Sequence, residues 1–201
     1  MIAIIDYDAG NLRSVEKALN FVGEEAIITR EKSILHSADK VILPGVGAFG
    51  EAMKKLHCYD LVTTVKEIAK SGKPLLGICL GQQLLFEGSD ENPGIEGLSI
   101  LPGTIKKIPD CPGLKIPQIG WNSLTITPGA KLFQDIPQDS YVYFVHSYYL
   151  RATNRKDVAA TCEYSTTIDA SIEHDNIFAC QFHPEKSGEV GLKILKNFAN
   201  L

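Results

Sequence analysis

Four short apolar runs in the N-terminal part of the chain constrain its fold most: Ile2 to Asp6, Ala26 to Thr29, Lys40 to Leu43 and Leu75 to Ile78. Stretches with helical spacing lie between them. Leu12, Val15, Leu19 and Val22 form one apolar stripe, with Arg13, Glu16, Lys17 and Asn20 opposite, and Gly23 closes that helix. Asp8-Ala-Gly-Asn11 before it is turn chemistry that also offers a helix cap. Ser33 to Ser37 reads as a single helical turn, a further helix starts at Glu51, and Leu61, Val65 and Ile68 mark another. Strands alternating with helices at this spacing predict βαβ units and a parallel sheet.

The fourth run carries the most specific local signal. Pro74-Leu-Leu-Gly-Ile-Cys79-Leu-Gly-Gln-Gln-Leu-Leu-Phe86 reads as a strand, a tight turn at Cys79 and a helix from near Leu80 to about Glu87. Gly77 and Gly81 flank the cysteine at minus two and plus two, a cysteine version of the G-x-S-x-G nucleophile elbow. Glycine there relieves crowding around a strained turn. The N-terminus of the following helix favours thiolate over thiol. The alternative is a buried cysteine in an ordinary strand-to-helix turn. A second loop, Pro44-Gly-Val-Gly-Ala-Phe-Gly50, follows the third strand, at the sheet end where α/β proteins bind ligands. It is built for close backbone approach, or is only a tight connection. It lacks the lysine of a phosphate-binding loop, and it follows the third strand instead of the first, which argues against a dinucleotide site.

Past residue 98 the texture changes. Leu101 to Ile108, Ile116 to Ile126, Tyr141 to His146, Val158 to Tyr164, Thr167 to Glu173 and Ile177 to Phe182 read as strands, with a hairpin turning at Asp175-Asn176 and a closing helix from about Glu189. The fold class predicted is α/β: an open mixed, mainly parallel sheet flanked by helices, with an antiparallel extension in the C-terminal half. No linker or repeat interrupts it, so residues 1–201 are expected to form a single domain.

Composition narrows the function. The net charge of −4, without a basic run, argues against nucleic-acid binding. No apolar run approaches the roughly 20 residues of a membrane span, and the N-terminus reads as a first strand, not a signal peptide. The five cysteines, Cys58, Cys79, Cys111, Cys162 and Cys180, are scattered with no C-x-x-C. Neither a zinc site nor a disulfide framework is indicated, and a reducing, cytoplasmic setting is expected. Cys162 and Cys180 sit in strand-like segments and read as core. No metal cluster or cofactor motif is seen.

A cysteine nucleophile needs a base, and the base needs an orienting group. Of the five histidines, His36, His57 and His174 read as surface residues. His146 ends one apolar strand and His183 another. His183 is the better base because Pro184 pins it and Glu185 follows. If the chain stays extended across the proline, residues at i and i+2 share a side, so Glu185 could hold Nδ1–H and leave Nε2 for the thiol.

Taken together, Pro-Gly-Val-Gly, Gly-Ile-Cys-Leu-Gly-Gln-Gln-Leu-Leu-Phe and Phe-His-Pro-Glu-Lys-Ser, in this order and spacing, resemble a class I (triad) glutamine amidotransferase. Asp6-Tyr-Asp-Ala-Gly-Asn-Leu-Arg-Ser14, Ile119-Gly-Trp-Asn122 and Tyr143-Phe-Val-His-Ser-Tyr148 narrow the resemblance to the glutaminase subunits of imidazole glycerol phosphate synthase, in histidine biosynthesis. It covers essentially the whole chain and implies the flavodoxin-like fold of that class. The length resembles a glutaminase subunit without a fused synthase domain.

The resemblance also implies roles. Cys79 attacks glutamine, His183 moves the proton and Glu185 orients the imidazole. The backbone N–H of Leu80, with Val46 or Gly47, forms the oxyanion hole. Gln83, Glu91, His146, Ser147 and Tyr148 line the substrate pocket. A (β/α)8-barrel cyclase subunit takes the ammonia, and Tyr7, Asn11, Trp121, Asn122 and Lys186 are expected at that interface. Trp121 has a core-anchor alternative. The rival readings are a triad glutaminase of a different synthase, a non-amidotransferase cysteine hydrolase, and a non-catalytic binding module.

Overall fold

The computed structural model describes residues 1–201. The N-terminal half contains β1 (Ile2–Ile5), α1 (Leu12–Phe21), β2 (Ala26–Thr29), α2 (Lys32–Ser37), β3 (Lys40–Gly45), α3 (Phe49–Cys58), α4 (Val62–Lys70), β4 (Leu75–Cys79), α5 (Leu80–Leu84) and β5 (Gly88–Ser89). The rest contains β6 (Gly103–Lys107), β7 (Gln118–Ser123), β8 (Thr125–Ile126), β9 (Tyr141–His146), β10 (Tyr148–Ala152), β11 (Val158–Tyr164), β12 (Thr166–His174), β13 (Ile177–Cys180) and α6 (Gly188–Ala199).

The main sheet runs β2-β1-β3-β4-β13-β12-β11-β8. The first five strands are parallel and the last three antiparallel. The strand order of the parallel part is that of a doubly wound sheet whose ligands bind beyond the carboxyl ends. Its strands read as unbroken apolar runs because both faces are covered. Ile2 and Ile4 of β1 pack with Val15 and Leu19 of α1 and Ile194, Leu195 and Phe198 of α6. Ala3 and Ile5 face the other layer, with Phe49, Met53 and Leu56 of α3 and Val65 and Ile68 of α4. Cys162 and Cys180 are buried core residues, as expected. The β12–β13 hairpin turns at Asp175-Asn176.

The antiparallel half differs from expectation in one respect. Besides the three strands on the main sheet, it forms a three-stranded sheet β10-β6-β5 and a two-stranded ribbon β7-β9. The sequence reading missed β10, because Tyr148-Tyr-Leu continues the apolar texture of β9 with only Ser147 between them. The ribbon leaves Ile119, Trp121 and Tyr141 exposed.

The helix after Cys79 is also shorter than expected, five residues instead of about eight. Its apolar pattern continues to Phe86, but Leu98, Ile100 and Ser99 donate their N–H groups to the carbonyls of Leu84, Leu85 and Phe86. A crossing segment thus takes the C-terminal acceptors and ends the helix. So short a helix has little dipole to direct at Cys79.

Candidate active site

β3, β4 and β13 are hydrogen-bonded neighbours, so their carboxyl ends deliver three loops to one place. Gly45 pairs with Cys79 across β3–β4, and Ile78 pairs with Cys180 across β4–β13. A cavity of about 350 Å³ opens there, lined by Cys79 and Leu80 from the elbow, Val46 and Gly47 from the β3 loop and His183 from the β13 end.

The elbow has its expected strain. Cys79 has φ 54° and ψ −111°, a conformation that costs a non-glycine residue energy. The flanking glycines answer to the backbone, not to the thiol. A Cβ on Gly77 would lie 2.9 Å from the backbone of Gln82, and one on Gly81 only 1.8 Å from the Leu43 carbonyl oxygen of β3. Glycine at both positions lets α5 start hard against the sheet.

Glu185 and His183 meet as expected, by a different route. The chain is not extended across Pro184; Pro184–Lys186 is a 3-10 turn, and it brings Glu185 back under the imidazole. The His183 Nδ1–H donates to Glu185 Oε1 at 2.7 Å, with both side chains buried. Ser187 clamps the turn, donating its hydroxyl to the His183 carbonyl at 2.6 Å and accepting the Tyr143 N–H at 3.0 Å. Gly191 lets α6 pack on it, since a Cβ there would fall 1.9 Å from the Pro184 carbonyl oxygen. Nε2 of His183 is buried without a hydrogen-bond partner, and both His183 and Cys79 line the cavity. Burial works against the charged ring, but the influence of Cys79 and the hydrogen bond and charge of Glu185 outweigh it and raise the pKa to about 9.

The expected pocket residues gather around this pair. Gln83, Glu91, His146, Ser147 and Tyr148 all line the cavity. Gln83 Nε2 donates to the Tyr148 carbonyl at 3.0 Å and to Gln181 Oε1 at 2.9 Å, so only its carbonyl oxygen is left for a ligand. One Glu91 oxygen accepts the Phe49 N–H at 2.8 Å at the start of α3. His146 is buried, and burial lowers its pKa to about 4. Its Nδ1–H donates to the Tyr148 carbonyl at 2.8 Å. Its Nε2 lies 2.9 Å from Gln118 Oε1, and a neutral ring that donates at Nδ1 can accept there only once that amide is turned to present its NH2. In the β3 loop, Gly47 has φ 96°, and the N–H groups of Val46 and Gly47 make no backbone hydrogen bond.

The expected interface residues divide. Trp121 is 55% exposed and packs edge-on against Tyr143, which excludes the core-anchor alternative. Lys186 is exposed at the cavity wall. Asn122 is half-buried and donates to the Glu163 carbonyl at 3.0 Å. Tyr7 corrects the expectation. It is 1% exposed, and its hydroxyl donates to the Pro44 carbonyl at 2.7 Å, so it supports the β3 loop from inside. Burial, and then the charge of Cys79, push its phenol pKa well up.

Asn11 is half-buried at the start of α1, where its carbonyl accepts the Ser14 and Val15 N–H groups but its side chain makes no cap. It takes a left-handed conformation, and its amide donates to Glu185 Oε1. Its loop is fastened from outside: Arg30 donates to Asp6 and Asp8, each at 2.7 Å, stacks 4.1 Å over the Tyr59 ring, and Tyr59 donates to Asp8. The sequence reading also missed Gln181. The only signal was a polar residue in the apolar run Ile-Phe-Ala-Cys-Gln-Phe.

No group of His, Cys, Asp and Glu side chains is placed to hold a metal ion. No helix is long and apolar enough to cross a membrane.

A nucleophile elbow, a histidine–carboxylate pair and a glycine-rich loop at adjacent strand ends define a class I glutamine amidotransferase, and the family model of that description matches residues 3–201. The chain belongs to the HisH family within that class. It is 50% identical over 198 residues to the imidazole glycerol phosphate synthase subunit HisH of Listeria innocua serovar 6a, covering 98% of this chain and 94% of that one. It is 51% identical over 203 residues to the subunit of the same name from Thermosynechococcus vestitus, covering 100% and 96%. A solved glutamine amidotransferase shares the fold, with TM-score 0.76 at 19% identity over 99% of this chain and 100% of that one.

Proposed function

We propose that this protein hydrolyses glutamine through Cys79, His183 and Glu185, as the glutaminase subunit of imidazole glycerol phosphate synthase, and passes the ammonia to a cyclase subunit. The observation that carries the reading is the buried His183–Glu185 pair at the end of β13, beside an elbow cysteine at the end of β4. The thiol proton moves to His183 Nε2, and the sulfur attacks the side-chain amide carbon of glutamine. His183 protonates the leaving ammonia. A water activated by the same ring then releases glutamate from the thioester. Glu185 holds the working tautomer throughout.

The oxyanion is met by the Leu80 N–H and by Val46 or Gly47, whose N–H groups are free of backbone partners. Such a donor contributes about 2.7–4 kcal/mol. Gln83 offers glutamine its carbonyl oxygen, and the second Glu91 oxygen suits the α-ammonium. Ammonia escapes readily to water, so direct transfer to a docked (β/α)8-barrel cyclase is the useful arrangement, making a heterodimer. Exposed Trp121 and Lys186 are the best-supported interface residues, and residues 1–201 act as one domain in the cytoplasm.

A glutamine-analogue alkylator tests the chemistry. The reading expects its adduct on Cys79 ahead of the other four cysteines, and no glutamine hydrolysis by Cys79→Ala. Comparable labelling of exposed Cys58, or residual hydrolysis by the variant, would contradict it.

A further inference from the structure

Gln181 lies between Cys180, the last residue of β13, and Phe182, and it is fully buried beside the nucleophile. Its side-chain Nε2 lies 3.7 Å from the Cys79 sulfur, with the geometry of an N–H···S hydrogen bond. Its Oε1 accepts from Gln83 Nε2 at 2.9 Å.

The orientation of this amide follows from the chain of partners. The Tyr148 carbonyl can only accept, so the group Gln83 turns toward it, at 3.0 Å, is its NH2. The second N–H of that nitrogen points at Gln181, which must answer with oxygen. Reversing Gln181 would set NH2 against NH2 and lose a buried hydrogen bond. Its NH2 is thereby forced toward sulfur. Tyr148 itself is fixed, since the His146 Nδ1–H donates to the same carbonyl at 2.8 Å.

We propose that Gln181 is a further catalytic residue: its oriented side-chain N–H donates to the Cys79 sulfur and stabilises the thiolate formed when the thiol proton passes to His183. This rests on the reading of Cys79 as the nucleophile. It also supplies what α5 does not, because five helical residues offer little dipole at that sulfur. A donor to the anion favours the anion. Burial makes the contact count for more than it would in water. Gln83, one turn into α5, then has two tasks: it faces the substrate cavity and it sets the direction of the thiolate donor.

The test is the pH dependence of Cys79 alkylation by iodoacetamide, an uncharged probe, with the adduct located by peptide mass mapping. The wild-type midpoint is the reference. Gln181→Met, which keeps the bulk and removes the donor, should move the midpoint up by about one pH unit. Gln181→Glu keeps the shape and an acceptor for Gln83 but sets a carboxylate against sulfur, so it should move the midpoint further. Gln83→Met leaves Gln181 in place and unorients it, and should give a smaller shift of the same sign. This last variant keeps the test open if the Gln181 variants do not fold. Unchanged midpoints in folded Gln181→Met, or in Gln83→Met where the Gln181 variants do not fold, overturn the proposal while leaving the triad intact. Alkylation of wild-type Cys79 no faster than that of the other four cysteines overturns the triad reading, and this proposal with it.

Discussion

Replacing Gly81 by alanine tests the physical origin of the elbow. The new Cβ would sit 1.8 Å from the Leu43 carbonyl oxygen, about half the 3.4 Å at which ordinary contact begins. Backbone, not a flexible side chain, stands in the way, so β3 or α5 has to move by more than an ångström. Overpacking of this kind costs about 1–3 kcal/mol. The larger effect is on chemistry. Leu43 precedes the loop that carries Val46 and Gly47, and Gly81 lies two residues past Cys79, so any relief of the clash displaces nucleophile and oxyanion donors relative to each other. A 1 Å misplacement in an active site costs on the order of 100-fold. The expected result for Gly81→Ala is a loss of about 100-fold or more in glutaminase kcat/KM. Gly72→Ala is the control. Gly72 has positive φ, 81°, and nothing lies within 4 Å of its Cβ position. It should lose about 1–2 kcal/mol of stability from left-handed backbone and keep its kcat/KM. Glutamate release and urea unfolding of both variants decide the matter. A folded Gly81→Ala with wild-type kcat/KM would refute the packing argument.

Three other predictions follow from the site. His146 has a folded-state pKa near 4 against an ordinary value of about 6.5, so its neutral ring contributes stability in full above about pH 6.5 and loses it as pH falls toward 4. The loss is at most about 1.4 kcal/mol per pH unit, and it should vanish from the wild-type minus His146→Gln difference in urea unfolding if the ring is not its source. Glu185→Gln removes the charge that helps hold His183 near pKa 9 and should lower kcat/KM at least about 100-fold while the protein stays folded, read by glutamate release. Tyr7→Phe leaves the buried Pro44 carbonyl without its donor and should cost about 1–3 kcal/mol, measured by chemical denaturation.

The parts of the site legible in the sequence were those held by local chain. β1, β3 and β4 showed as continuous apolar runs because helices cover both sheet faces. Cys79 between two glycines, and His183 two residues from Glu185, carry their geometry within a few positions. The parts that failed are joined by tertiary contact. Asn11 looked like a cap and a surface residue, yet its partner Glu185 is 174 positions away. Tyr7 looked like part of an exposed loop, but its ring fills the space under Pro44, 37 positions on. α5 looked longer because nothing in its own sequence announces the segment that takes its last carbonyls. Gln181 meets Cys79 across 102 positions, and only its polarity within an apolar run marked it.

The most direct test of the central claim is the rate of glutamate formation from glutamine, measured for this protein alone and with a purified cyclase subunit carrying its nucleotide ligand. The account predicts that the cyclase stimulates the reaction, that Cys79→Ala abolishes it in both settings, and that imidazole glycerol phosphate forms as glutamine is consumed. A rate indifferent to the cyclase, or one that survives the loss of Cys79, would contradict it.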